Sequence, residues 1–382
     1  MRSAPTSSVT TPTSLDDIGL LLDHQLRVLW SRPEERHAVA PLMLWGPPGV
    51  GKSSVVRAAA ARHGVGFLDI RLSQREPVDL RGLPVPQNGV VEWLLSSEWP
   101  RDQDSRGIIL FDELTAADRS LQVAAYELIL ERRLGTLYTV PPGWFIVAAG
   151  NRAGDGAVAG GLSSALANRF CHVEVAVDVD DWVAWAGERG LGPLVPSFLR
   201  YQPEHFLDLR GSLERGWPSP RSWERVAVAL AHAEGLPEHI LHRVVEGLVG
   251  TGAAAAFMAF RLVAAQLADV DAWLRGEGPM VVPAAADQRF ALVGAIATAV
   301  WRAPRRREAI ALALEICDEL GTDFAALLLT DLIRGRSAAE LGLILGSPAF
   351  PGWVRRHGAA ARGRLTRDAD AVLGAVLLAG QP

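Results

Sequence analysis

Lysine is almost absent from these 382 residues: of 38 basic side chains one, Lys52, is lysine and the other 37 are arginine. Cysteine is nearly as scarce. Cys171 and Cys317 lie far apart and outside any C-x-x-C pattern, which excludes a disulfide framework and a structural zinc site and fits a reducing compartment. The nine histidines do not cluster with cysteines or carboxylates, and His239 and His242 read as polar positions on one helix face. No long apolar run exists either. The most apolar stretch, Ala253–Val270, is interrupted by Arg261 and Gln266, so a membrane span is excluded and a cytoplasmic location is expected. Met1–Ser14 is rich in Ser, Thr and Pro without an apolar core, which predicts a disordered leader and not a signal peptide. The net charge of −5 gives no global field for nucleic acid or membrane, and the basic run Arg302–Arg307 reads as a solvated helix face. No repeat of 20–50 residues is visible.

What is present suits a packed protein of more than one domain, with 49% hydrophobic and 21% charged residues. Apolar spacing predicts a helix over Leu15–Trp30. Strands are predicted at Leu42–Trp45, Gly66–Arg71, Gly107–Phe111, Trp144–Ala149 and His172–Val177, and they alternate with helices at Ser53–Ala61, Ser120–Arg132 and Leu162–Asn168. That alternation argues for an α/β fold with a parallel five-stranded sheet. Asn88-Gly89 between Leu83–Val85 and Val90–Leu94 signals a hairpin, and Leu134–Val140 a second. Beyond Asp181 the pattern is helical: Trp182–Gly187, Arg221–His232, Glu238–Leu248, Ala253–Trp273, Arg289–Trp301, Arg307–Leu320 and Asp323–Ile333. The expected division is a leader over 1–14, a nucleotide-binding core over 15–180, a helical lid over 181–280 and a helical region of unknown role over 281–382.

The chemistry concentrates after the first strand, in Gly46-Pro47-Pro48-Gly49-Val50-Gly51-Lys52-Ser53-Ser54. Gly46, Gly49 and Gly51 let the backbone wrap closely round phosphates, and the helix that follows adds its positive end. Lys52 supplies a compact charge at the β/γ-phosphates, and the Ser53 hydroxyl is a ligand for Mg²⁺. Arginine is no substitute there, because its planar fork does not fit so tight a loop. Chance would place the one lysine at this position on the order of one time in 40. The apolar strand Ile108–Phe111 ends in Asp112 and Glu113, which suit a Mg²⁺ ligand and a base for the attacking water; acids that merely end a strand are the alternative. Asn151, after the fourth strand, can hold that water and the γ-phosphate, or can simply form a turn. Arg169 sits where it could cross a subunit boundary or make a surface ion pair. Arg221 opens a helix behind Ser219 as N-cap and Pro220 at the first position, where a cation opposes the helix dipole unless an anion is near.

Five segments in this order resemble the AAA+ ATPases, and in detail the MoxR-like branch: GPPGVGKSS (46–54), IILFDEL (108–114), FIVAAGNR (145–152), LSSALANRF (162–170) and SPRSW (219–223). The resemblance covers roughly residues 15–250. It implies Walker A at Lys52 and Ser53, Walker B at Asp112 and Glu113, sensor 1 at Asn151, an arginine finger at Arg169 and sensor 2 at Arg221. Arg152 competes for the finger role, and whether Arg221 serves its own or a neighbour's nucleotide stays open. It also implies ATP and Mg²⁺ as cofactors and a homo-oligomeric, hexameric ring. The expected function is ATP-driven remodelling of a protein partner, such as a von Willebrand A-type protein. The Asn88-Gly89 hairpin resembles an insert that faces the ring's pore, with Trp93 and Leu94 as contacts. The alternatives are a nucleic-acid motor, against which the lack of Lys or Arg in Leu83–Glu98 argues, and a nucleotide-gated scaffold.

Overall fold

The computed structural model describes residues 11–155, 161–162, 164–210, 215–267, 269–334 and 336–361. The chain divides into two compact units, Met1–Asp178 and Val179–Pro382. The first unit contains strands β1 (Leu42–Trp45), β2 (Gly66–Arg71), β3 (Leu83–Gln87), β4 (Val90–Leu94), β5 (Arg106–Asp112), β6 (Arg133–Leu134), β7 (Tyr138–Thr139), β8 (Gly143–Gly150) and β9 (Cys171–Glu174). Its α-helices are α1 (Leu15–Ser31), α2 (Lys52–His63), α3 (Pro77–Arg81), α4 (Arg119–Glu131) and α5 (Ser164–Ala167).

Five strands form one parallel sheet in the order β2-β5-β8-β1-β9. Helices cover both faces, so the strands are apolar on both sides, as buried parallel strands must be. Ile108 and Leu110 of β5 join Leu42 and Leu44 in a core with Ile18, Leu22, Leu26 and Leu29 of α1 and Val55, Val56, Ala59 and Ala60 of α2. Ile109 and Phe111 face the opposite side with Ile146, Ala148 and the α4 residues Leu121, Ala125, Leu128 and Ile129. The expected α/β class and all five sheet strands are therefore present. Both hairpins are too: β3 pairs with β4 and β6 with β7. Asn88 and Gly89 adopt φ of 53° and 80°, the left-handed pair that a two-residue hairpin turn requires. Of the segment expected as a leader, 1–10 lies outside the described residues, while Thr13 bridges Val175 in parallel and Ser14 caps α1 through Asp17 N.

The second unit is helical: α6 (Val179–Glu188), α7 (Leu194–Tyr201), α8 (Pro220–Ala231), α9 (Glu238–Val249), α10 (Thr251–Ala264), α11 (Val270–Leu274), α12 (Ala286–Arg302), α13 (Arg306–Glu315), α14 (Cys317–Leu320), α15 (Thr322–Ile333), α16 (Ala338–Leu345) and α17 (Phe350–Ala361). Its core centres on Leu292, Val293, Ile296, Ile310, Leu328, Leu329 and Trp353. Two expected helices are corrected. Ala253–Trp273 is broken into α10 and α11, because Asp269 takes an extended backbone and its carboxylate caps Ala272 N, which a mid-helix residue cannot do. Arg307–Leu320 is likewise divided at Ile316 into α13 and α14. Helices α3, α7, α16 and α17 carried too short or too mixed a pattern to be expected. The three final elements α15–α17 precede 362–382, which lie outside the described residues.

One contact fixes the register across three strands. Gly66, Gly107 and Trp144 are neighbours on β2, β5 and β8. The Trp144 ring lies across both glycines, so that a Cβ on Gly107 would meet ring atoms at 2.5–2.6 Å and one on Gly66 at 2.7 Å. The indole N–H donates to Ser105 Oγ at 2.9 Å. Gly107→Ala should therefore destabilise the protein by about 1–3 kcal/mol through overpacking, readable as a lower urea midpoint at unchanged slope. An unshifted midpoint would refute this account of the two glycines.

Candidate nucleotide site

The candidate residues of the first unit gather at the carboxyl ends of β1, β5 and β8. In open α/β sheets this is the edge where ligands bind, next to the point where strand order reverses. β1 supplies the loop that leads into α2. Gly49 and Gly51 have φ of 81° and 102°, conformations that a side chain would strain. Gly51 also faces Leu15 of α1, whose Cδ1 would lie 2.9 Å from any added Cβ. The loop is thus pinned from outside by the first residue of α1. Pro47 and Val50 are buried, Pro48 is half-buried and Ser54 is exposed on the first turn of α2.

Lys52 is only 8% exposed. Its ammonium donates to Gly46 O at 2.6 Å, Pro47 O at 2.8 Å and Asn151 Oδ1 at 3.0 Å. A buried cation needs such oxygens, and they hold it at the mouth of the loop. The Ser53 hydroxyl donates to Asp112 Oδ2 at 2.5 Å, and Asp112 Oδ1 accepts from Glu113 N at 2.9 Å. A hydroxyl and a carboxylate oxygen side by side match the hard oxygen donors that Mg²⁺ takes from a protein while phosphates and water complete its shell. Among the described residues no group of three or more His, Cys, Asp or Glu forms a dedicated metal cage.

Glu113 has φ of 58°, left-handed for a residue with a side chain, a strain found preferentially at functional sites. Its carboxylate accepts a hydrogen bond from Ser73 Oγ, on the turn after β2. The acidic pair is also felt at Asp69 on β2, whose pKa is raised first by burial and then by Asp112. Asn151 is held through its backbone: Thr115 Oγ1 accepts from Asn151 N at 3.0 Å and donates to Asn151 O at 3.2 Å. Ser73 and Thr115 escaped sequence reasoning. Each contact depends on which strands are neighbours, and no local motif encodes that.

Arg152 is engaged within its own unit. Nη1 meets Glu174 Oε2 at 2.7 Å and Nη2 meets Asp155 Oδ1 at 3.1 Å, and hydrogen bonding to Asp155 raises its pKa further. Arg169 is exposed just after α5. Ser163, in the same segment, lies outside the described residues. In the second unit Ser219 caps α8 through Ser222 N, Pro220 takes the first helical position, and Arg221 is exposed in that first turn. No described helix is long and apolar enough to cross a membrane.

Residues 41–170 match the family described as AAA domain, dynein-related subfamily. Midasin of Giardia intestinalis is 30% identical over 144 residues, which are 36% of this chain and 3% of that relative, so the chain spans about 3% of the length of the curated protein it matches. Among solved structures, a Cytophaga hutchinsonii protein described as an ATPase matches with a TM-score of 0.32 at 13% identity, over 61% of this chain and 88% of its own. A variant of Thermotoga maritima RuvB matches with a TM-score of 0.35 at 16% identity, over 69% and 77%. Residues 41–170 are thus similar to AAA+ domains, and Lys52, Ser53, Asp112, Glu113 and Asn151 all lie within that span.

Thr115 makes a testable contribution. Thr115→Val strips both partners from the Asn151 backbone at a buried position, which should cost about 1–3 kcal/mol. Thermal unfolding at fixed concentration measures it, and an unchanged Tm would show that Asn151 is held by other means.

Proposed function

We propose that this chain is a MoxR-like AAA+ ATPase subunit that hydrolyses ATP in a homo-oligomeric, hexameric ring to remodel or activate a protein partner. The observation that carries this reading is the meeting of Lys52, Ser53, Asp112 and Asn151 at one sheet edge. Backbone N–H groups of Gly49–Ser53 and the Lys52 ammonium bind the phosphates. Ser53 and Asp112 would hold Mg²⁺, which would supply neutralisation of the phosphate charge. Glu113 orients and deprotonates the attacking water, and Asn151 holds that water and the γ-phosphate.

Arg169 is the finger in this reading, supplied to a neighbouring subunit, because Arg152 is already bound by Asp155 and Glu174. Arg221 is the second sensor, its charge in a helix first turn suited to a phosphate partner. A protein partner suits the β3–β4 hairpin, where Leu83, Val90, Val91, Trp93 and Leu94 are all exposed and no basic side chain is present. An apolar ribbon of this kind fits exposed hydrophobic polypeptide better than phosphates. The helical lid over 181–280 and the further helical region over 281–382 are assigned on the same reading.

Glu113→Gln should bind ATP with unchanged affinity yet turn over about 10²–10⁴-fold more slowly; wild-type phosphate release would remove Glu113 as the base. Specific activity should rise with protein concentration as rings form, and Arg169→Ala should abolish that rise, since a finger in trans supplies about 10³–10⁵ in rate. A flat profile across the dilution series in which rings dissociate would sink the trans arrangement. The Ser73 hydroxyl stabilises and diverts the Glu113 carboxylate, so Ser73→Ala should raise basal turnover about fivefold. Equal or lower turnover in that variant would mean that Ser73 does not restrain the base.

A further inference from the structure

β9 carries a histidine whose two ring nitrogens face opposite parts of the site. His172 Nδ1 accepts from the indole N–H of Trp45 at 2.8 Å, and the two rings lie side by side and nearly parallel, with centroids 5.9 Å apart. His172 Nε2 lies 2.7 Å from Ala167 O. The indole is a donor only and the carbonyl an acceptor only, so the ring is the neutral tautomer with its proton on Nε2. Both partners are half-buried, and neither bond belongs to the sheet ladder.

The positions of the two partners give this bridge its meaning. Trp45 is the last residue of β1 and adjoins Gly46, the first glycine of the phosphate loop. Ala167 is the last residue of α5, where helix carbonyls run out of intrahelical donors. Among the described residues its carbonyl otherwise accepts only a long 3.4 Å bond from Phe170 N, while Arg169 N bonds Leu166 O at 3.1 Å. Arg169 thus sits inside a turn that is closed at one side by His172. Buried Phe170 anchors the far side of the turn and meets the His172 ring edge-on, with centroids 6.1 Å apart.

We infer that His172 is a positioning residue for Arg169, fixing the turn that presents the arginine and tying it to the start of the phosphate loop through Trp45. The inference rests on the reading of Arg169 as a finger offered to a neighbour. Arginine acting across an interface contributes only when its guanidinium is held close to the productive geometry, and a displacement of about 1 Å suffices to lose a large part of the effect. A long side chain on an exposed, loosely closed turn would not meet that condition. The bridge closes the turn with a bond to a carbonyl that would otherwise be left nearly unpaired, and it does so from a strand rather than from another loop.

Complementation in mixed rings separates this role from general support of the fold. Arg169→Ala and Glu113→Gln subunits, each impaired alone, should recover turnover when co-assembled, because the second supplies the finger that the first lacks. Absence of recovery in this reference pair would sink the trans finger itself. In the donor, adding His172→Phe to Glu113→Gln should lower the recovered turnover about tenfold, and adding Trp45→Phe should act in the same direction. His172→Gln, which keeps a donor and an acceptor, should restore it. In the receiver, adding His172→Phe to Arg169→Ala should leave both recovery and the Kd for a fluorescent ATP analogue within about twofold. Donors as effective as the parent, or equal losses in both roles, would overturn the inference. Should the phenylalanine variant fail to fold, Trp45→Phe, which deletes one N–H and leaves the histidine, carries the same comparison.

Discussion

An ammonium ion placed inside a protein has to be surrounded by oxygens, and the arrangement around Lys52 Nζ organises the rest of the first unit. Its partners come from the loop after β1, through the Gly46 and Pro47 carbonyls, and from the end of β8, through Asn151. The two sources are brought together only because β1 lies beside β8 in the sheet. A sheet wound in simple sequence order would separate them. The out-of-order position of β1 between β8 and β9 is therefore as much a part of the site as the lysine. It requires crossovers on both faces, which in turn require strands that are apolar on both sides. Ile108 to Phe111, all buried and packed alternately on the two faces, satisfy that demand.

A second division of labour follows at the other strand ends. The two arginines near the site, Arg152 and Arg169, are treated in opposite ways. The first is saturated by Asp155 and Glu174, joining the end of β8 to the end of β9, and so acts as a brace. The second has its backbone fixed and its side chain exposed. Beyond its ladder with β1, β9 is tied through Glu174 to Arg152 and through His172 to Trp45 and to the Ala167 carbonyl, and Val175 just after it bridges Thr13 in parallel. An edge strand of four residues would otherwise be the weakest member of the sheet. Bracing it also steadies the segment immediately before it.

Much of this was legible in the chain because the determinants are local. Glycines that need positive φ, a strand that ends in two acids, an Asn-Gly turn and a Ser-Pro helix start are each contained within a few residues. Each is found with the predicted geometry at Gly49, Gly51, Asp112, Asn88 and Ser219. What could not be read depends on adjacency of distant segments. Ser73 reaches Glu113 because β2 and β5 pair, Thr115 grips Asn151 because β5 and β8 pair, and His172 meets Trp45 because β9 closes on β1. The helix expected over Ala253–Trp273 failed for a related reason. Its apolar spacing continues through the break, and only the cap made by Asp269 reveals that the backbone stops there.

The composition that singled out Lys52 can now be given a geometric cause. Three oxygens lie within 3.0 Å of one nitrogen, and two of them are carbonyls of consecutive residues in a loop shaped by glycine. A tetrahedral ammonium directs its three N–H bonds into such a cluster from a single point. A guanidinium spreads its donors over a rigid plane and favours two parallel acceptors, as the Arg152 pairing with Asp155 illustrates from a few residues away. Elsewhere among the described residues arginines meet carboxylates, solvent or, as buried Arg132 does with the Pro141 and Trp144 carbonyls, backbone oxygens from separated residues that one edge of the planar fork can reach. The one position at which the chain departs from arginine is thus a position where carbonyls of consecutive loop residues converge on a single nitrogen at the mouth of a phosphate loop, and there the choice between the two cations is made by shape rather than by charge.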